Sequence, residues 1–197
     1  MSSIIPDHVP QLRRDDVLAL LSKHGVHLQA TKVAVLSVRG YYANQFGEPG
    51  ENDRGVYDDA GFLVTARGTF LAANFNVDPS PEHQEGVATI IPGVYPYRQG
   101  IHNLSKSADR QYPAFRPATP GERIPCTRDG QPGTSFAVAA NIHRGEITST
   151  SSLACQTVPR PQWLPFQHLG YLEMDREGVD VFQYCLIENQ EVLALGR

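Results

Sequence analysis

"FLVTARGTFLAANFN", residues 62–76, decides the fold class. Two apolar runs flank Ala66-Arg67-Gly68, the pattern of a β-hairpin with glycine in its turn. Just upstream, "KVAVLSVRGYY" (32–42) alternates and is rich in Val, so it reads as a further strand. Downstream, "VATIIPGVYPYRQGIH" (87–102) reads as strand interrupted by Pro92 and Pro96. "TSFAVAANIH" (134–143) reads as a strand whose end delivers His143, and "VDVFQYCLIENQEVLALG" (179–196) as a closing hairpin around Glu188-Asn189-Gln190. The 17 Gly and 15 Pro fall at short intervals, as expected of many strands joined by turns.

Between these runs lie polar connections. "GEPGENDRGVYDDAG" (47–61), "PSPEHQEG" (79–86) and the Pro/Gly-rich segment 103–133 read as loops. Two helices frame the strands. "QLRRDDVLALLSKHGVHL" (11–28) carries the apolar stripe Val17, Leu18, Leu20 and Leu21, with Gly25 placed for a C-terminal cap. "PRPQWLPFQHLGYLEMDREG" (159–178) predicts a short helix with Pro161 near its first turn. The expectation is a mainly β, α+β chain: an N-terminal helical extension over 1–30 and one compact unit over 31–197.

Composition narrows the function classes. Hydrophobic residues make up 41% and charged residues 19% of the 197, a balance suited to a globular core and too apolar for disorder. Net charge is −4 and no Lys/Arg-rich run is present, so nucleic-acid binding is disfavoured. No apolar run approaches the roughly 18 residues of a membrane span. "MSSIIPDHVPQLRRDD" lacks the charged start and apolar stretch of a signal peptide, which predicts a protein cytoplasmic as synthesised. The three cysteines, Cys126, Cys155 and Cys185, are odd in number and contain no CxxC pair, which disfavours both a disulfide framework and a thiolate zinc site.

One segment carries chemistry: "NIHRGEITSTSSLACQTVPRPQW", residues 141–163. A thiol attacks as its thiolate and needs a base within reach, itself oriented by a third group. His143 at a strand end and Cys155 twelve residues on, after a run of hydroxyls, fit a base–nucleophile pair. Ser151, Ser152 and nearby backbone N–H groups offer donors for an oxyanion. Two other readings of the same residues stand beside it. His102, His143 and Cys155 are a possible ligand set for a catalytic zinc with an open fourth position. Alternatively Cys155 is only a buried thiol in a non-catalytic phage structural or wall-binding module. Cys126 and Cys185 read as structural and Trp163 as a core anchor, while the remaining histidines, His83 among them, show no partner spacing. Asp53, Arg54, Tyr57 and Asp58 form a polar cluster suited to a charged peptide.

"IHRG…TSSLACQT" resembles the signature of L,D-transpeptidase (YkuD-type) catalytic domains, in which a strand-end histidine precedes a Ser-His-Gly-Cys segment. Leu153 and Ala154 stand where that family has its second histidine and its glycine. The resemblance implies Cys155 as nucleophile, His143 as base, Ser152 as the serine of the segment, and the backbone of Arg144 as the group orienting the imidazole. It further implies a β-sandwich or barrel fold, no cofactor, and action on the stem peptides of bacterial peptidoglycan; His102, Ser151 and Gln156, with Asp53, Arg54 and Tyr57, are the candidates for lining the substrate site. The wider context from about residue 38 to 166 is similar to phage and prophage proteins of cell-wall lysis, which implies hydrolysis rather than cross-linking.

Overall fold

The computed structural model describes residues 3–79 and 86–196. The hairpin that opens the sequence reading is β2 (Asp59–Thr65) and β3 (Phe70–Phe75). Beside β2 runs β1 (Val33–Arg39), all seven of whose residues are buried. Burial on both faces follows from its alternation. Val33 and Val35 join one core, while Ala34, Leu36 and Val38 join another. The second core is covered by Val17, Leu20 and Leu21 of α1 (Arg14–Lys23), so the N-terminal helix shares its packing with the sheet.

The main sheet has eight strands. β3, β2 and β1 continue through β11 (Val181–Glu188), β5 (Gly93–His102), β6 (Tyr112–Pro117), β9 (Ile142–Arg144) and β10 (Gln156–Val158). A bridge between Asn76 and Thr157 joins β10 back to the end of β3, with N–H···O distances of 2.9 and 2.8 Å. The sheet is therefore nearly closed and barrel-like. A small sheet of β4 (Ala88–Ile90), β7 (Arg123–Arg128) and β8 (Gln131–Val138) packs its inner residues Ile90, Ile124 and Ala137 into the first core. α2 (Leu28–Thr31) and α4 (Asn189–Leu193) are single short turns.

α3 (Arg160–Glu177) lies against the inner face and is longer than its two prolines suggest. Pro161 stands in the first turn, where no intrahelical N–H is required, and Pro165 follows one turn later. Beyond them Phe166, Gly170 and Met174 recur every four residues on the buried face. Gly170 permits the closest approach: a Cβ there would lie 2.6 Å from Phe115 Cζ. Phe115 in turn meets Tyr171, Phe182, Trp163 and Phe166 edge to face, with ring centroids 5.1–6.3 Å apart.

Three expectations are corrected. The segment 179–196 is not a hairpin: β11 is flanked by β1 and β5, so no edge is open for a returning strand, and the chain turns into α4. The run 134–143 is not one strand. It breaks at Ala139 (φ +53°), whose N–H goes to Glu122 O, and passes from the small sheet to the large one. The segment 103–133 is not simply loop, since it holds β6, β7 and the start of β8. Pro92 does separate β4 from β5, whereas Pro96 lies inside β5. The loop expected over 79–86, including His83, falls outside the described residues except at its two ends. Among the described residues no helix is long and apolar enough to cross a membrane.

Phe115 is both the aromatic hub and the residue whose backbone pairs with Ile142 of β9. Phe115→Ala is expected to cost about 3–5 kcal/mol of folding stability, read as a lowered urea midpoint.

Candidate functional site

The site forms where four strands end together. β5 ends in His102, directly opposite Tyr112 at the start of β6. β9 centres on His143, and β10 begins one residue after Cys155. β9 and β10 run parallel with Gln156 opposite Ile142 and Thr157 opposite His143. The pairing continues one step back, where Gln156 N–H donates to Asn141 O at 2.9 Å. That register sets Cys155 beside Asn141 and within reach of both histidines. A ring nitrogen of His102, a ring nitrogen of His143 and Cys155 Sγ all lie within 4.8 Å of one another.

Each histidine has one nitrogen engaged, and the partner identifies the tautomer. His143 Nδ1 lies 2.7 Å from Arg144 O, with Tyr112 Oη at 3.0 Å. A carbonyl only accepts, so Nδ1 carries the proton and Nε2 keeps its lone pair. This is the orientation through a main-chain carbonyl that the resemblance implies for Arg144. The Arg144 guanidinium itself sits over the Tyr112 ring, 4.8 Å from its centroid. His102 Nδ1 lies 3.0 Å from Asn141 Nδ2, and the two imidazoles stack with centroids 3.9 Å apart and planes 25° from parallel.

Burial dominates the electrostatics. His143 is driven down to about 3, chiefly by desolvation and secondarily by His102. His102 is lowered to about 4 by desolvation and by the Arg116 guanidinium. Desolvation pushes the Cys155 thiol up to about 11. The resting pair is thus neutral thiol and neutral imidazole, and the thiol donates to Ala139 O at 3.7 Å. The Cys155 N–H donates to no described residue.

The remaining predicted residues divide into supports and bystanders. Ser152 is buried, and its hydroxyl donates to Cys155 O at 2.5 Å, so it fixes the turn that presents the thiol. Gln156 is fully buried; its Nε2 donates to Ala154 O and its Oε1 lies 3.0 Å from the Tyr97 hydroxyl. Tyr57 lies beneath the 145–155 loop, its hydroxyl donating to Glu146 O at 2.8 Å. A Cβ at Gly145 would collide with that hydroxyl, which explains the glycine after His143-Arg144. Ser151 is exposed, at φ +54°, and bonds Ser149. Arg54 pairs with Asp129 on the β7–β8 turn, and Asp53 accepts the Glu48 N–H at 2.6 Å. Neither contacts the three clustered side chains. Cys126, Cys185 and Trp163 are buried in the cores, as expected.

Sequence reasoning missed Tyr112 and Asn141. Tyr112 lies in a segment read as loop, and Asn141 in a strand read as continuous; the aromatic residues of "YPAFRP" were the only local signal for β6. Two hollows are lined by sequence neighbours of the cluster, Arg144 and Ala154, though by none of its three side chains. One of about 350 Å³ is walled by Tyr112, Arg144, Arg160, Trp163 and Leu164. The other, about 280 Å³, is walled by Arg128, Val138, Leu153 and Ala154.

His102, His143 and Cys155 are the one such group of ligand-type side chains among the described residues. Zinc binds an imidazole nitrogen at about 2.0–2.1 Å, along its lone pair in the ring plane. Two stacked rings hold those lone pairs in two near-parallel planes 3.9 Å apart at the ring centroids. Both histidines meet one ion only if one of them leaves the stack. No protein-family model, curated protein or solved structure matches this chain.

Alkylation of Cys155 by iodoacetamide should rise about tenfold per pH unit between pH 7 and 10, without a low-pH plateau. The sign follows from a thiol pushed up to about 11, whose reactive thiolate is populated only as pH rises. A plateau below pH 7, measured against a Cys155→Ala control, would reveal a preformed thiolate–imidazolium pair instead.

Proposed function

We propose that this chain is a cysteine enzyme that opens L,D-type peptide bonds in peptidoglycan stem peptides through an acyl-thioenzyme, with water as the acceptor. One observation carries the chemistry. His143 is held by its Nδ1–H on the Arg144 carbonyl, which leaves Nε2 as its lone pair, and a ring nitrogen of this imidazole lies within 4.8 Å of Cys155 Sγ. The substrate class and the choice of water rest on the resemblance of "IHRG…TSSLACQT" and its surroundings, and the wall is reached after release or export.

In this mechanism the thiol proton passes to His143 Nε2 as Sγ attacks the carbonyl carbon. A neutral resting pair suits proton transfer concerted with attack better than a standing thiolate. The tetrahedral intermediate collapses as His143 returns the proton to the leaving amine. A water, deprotonated by the same Nε2, then releases the acid and restores the thiol. The hollow lined by Arg144 and Arg160, which share Glu146 as an ion-pair partner, offers cationic groups next in sequence to His143 and suited to the carboxylates of a stem peptide.

Cys155→Ala and His143→Ala are each expected to lower release of soluble fragments from purified peptidoglycan by at least about 10³-fold. Circular dichroism should show both variants folded. A thiol alkylator should abolish the activity and a chelator leave it unchanged. Loss to the chelator would replace the thiol mechanism with a zinc one, and absence of activity in every condition would favour a wall-binding module.

A further inference from the structure

His102 is fully explained neither as a base, a role His143 fills, nor as part of the core. Its Nδ1 lies 3.0 Å from Asn141 Nδ2, and an amide nitrogen only donates. With the amide so oriented, which leaves its Oδ1 buried without a partner, His102 Nδ1 is the acceptor and the ring's proton sits on Nε2. His143 has the opposite tautomer, with Nδ1 protonated by its bond to Arg144 O. Two stacked imidazoles, each with a ring nitrogen within 4.8 Å of one thiol, thus have complementary free nitrogens: a lone pair on His143 and an N–H on His102.

We infer that His102 is a second catalytic residue, a neutral hydrogen-bond donor to the oxyanion formed when Cys155 adds to a carbonyl, and that Asn141 is the positioning residue that fixes its tautomer. The inference rests on the thiol mechanism proposed above. The electron balance is simple. As the Sγ–C bond forms and His143 takes the thiol proton, the C=O π pair moves onto oxygen, where His102 Nε2–H and the Cys155 N–H receive it. When the intermediate collapses that pair re-forms the C=O bond, and His102 keeps its proton throughout. A donor of this kind must stay uncharged and keep one tautomer. Burial and the Arg116 guanidinium disfavour the imidazolium. The chain also ties Asn141 to the nucleophile, because its carbonyl holds the N–H of Gln156, the residue after Cys155. The donor's orienter and the nucleophile's turn are therefore one hydrogen-bonded unit.

The experiment uses the full chain and two reagents that need no peptidoglycan. Acylation of Cys155 by p-nitrophenyl acetate passes through an oxyanion, whereas alkylation by iodoacetamide does not. His102→Ala should slow acylation about 100-fold while alkylation stays within about threefold, and His102→Gln, which keeps an N–H donor, should recover much of the acylation rate. Equal loss in both reactions, or no loss in acylation, would overturn the assignment. Long-range proton–nitrogen NMR of ¹⁵N-histidine-labelled protein should show His102 protonated at Nε2 and His143 at Nδ1. Asn141→Asp should move the His102 proton to Nδ1 and slow acylation like His102→Ala. A His102 protonated at Nδ1 in the unaltered chain would refute the role of Asn141, whether or not the alanine variant folds. Failure to cleave peptidoglycan, with these results intact, would count against the proposed substrate and leave the donor assignment standing.

Discussion

The site hangs on one three-residue strand. β10 pairs in parallel with β9 on one side and, through Thr157, bridges to Asn76 on the other, so the strand that nearly closes the sheet is also the one that follows the thiol. A register slip of one residue would reverse every side chain on it. It would set a different residue beside Asn141 and separate Cys155 from both histidines. Gln156 guards against that slip from both ends. Its backbone N–H is on Asn141 O, and its buried side chain spans from Ala154 O to the Tyr97 hydroxyl. A buried amide with both ends engaged is costly to displace.

The two-sided burial of the sheet is what makes so short a strand dependable. α1 covers one face and α3 the other, leaving β1 and β11 with no solvent-facing register to adopt. β9 is fastened to this frame at a single pair, Phe115 with Ile142. The Phe115 ring lies among four other aromatic rings, so the backbone that carries His143 inherits the rigidity of the core. Tyr57 secures the loop between β9 and β10 from beneath, a role that needs the glycine at 145. The hydroxyls of Ser149 and Ser152 are thus engaged within the loop as a packed support for the thiol.

His143 and Cys155 were legible because they sit in a local sequence pattern, a strand end followed by a turn and a second strand. His102 was legible as a histidine ending an apolar run, but its stacking on His143 was not, since that contact is made across strands far apart in sequence. Tyr112 and Asn141 were hidden for different reasons. Prolines 113 and 117 mask β6 as loop, yet a strand can carry proline where no ladder N–H is required. Asn141 sits in a run whose small apolar residues suggested unbroken strand, while the positive φ of Ala139 is set by tertiary context. The central place of β11 was hidden likewise: a strand enclosed on both edges and a hairpin arm share the same alternation, and only the sheet order distinguishes them.

The electrostatic setting binds these parts into one device. Arg116 is buried, hydrogen-bonded to Ile101 O beside His102, and paired with Glu122. Its charge disfavours the imidazolium on His102 and favours the thiolate on Cys155. For the thiol this contribution is outweighed by desolvation, so the dyad rests uncharged. A desolvated neutral pair holds little charge in the ground state. The same low dielectric that suppresses the thiolate at rest strengthens each donor once charge develops on a substrate oxygen. Under the proposed mechanism, a site with its tautomers already fixed needs no reorganisation at that moment, which would give the stacking of buried His143 on half-buried His102 a catalytic use.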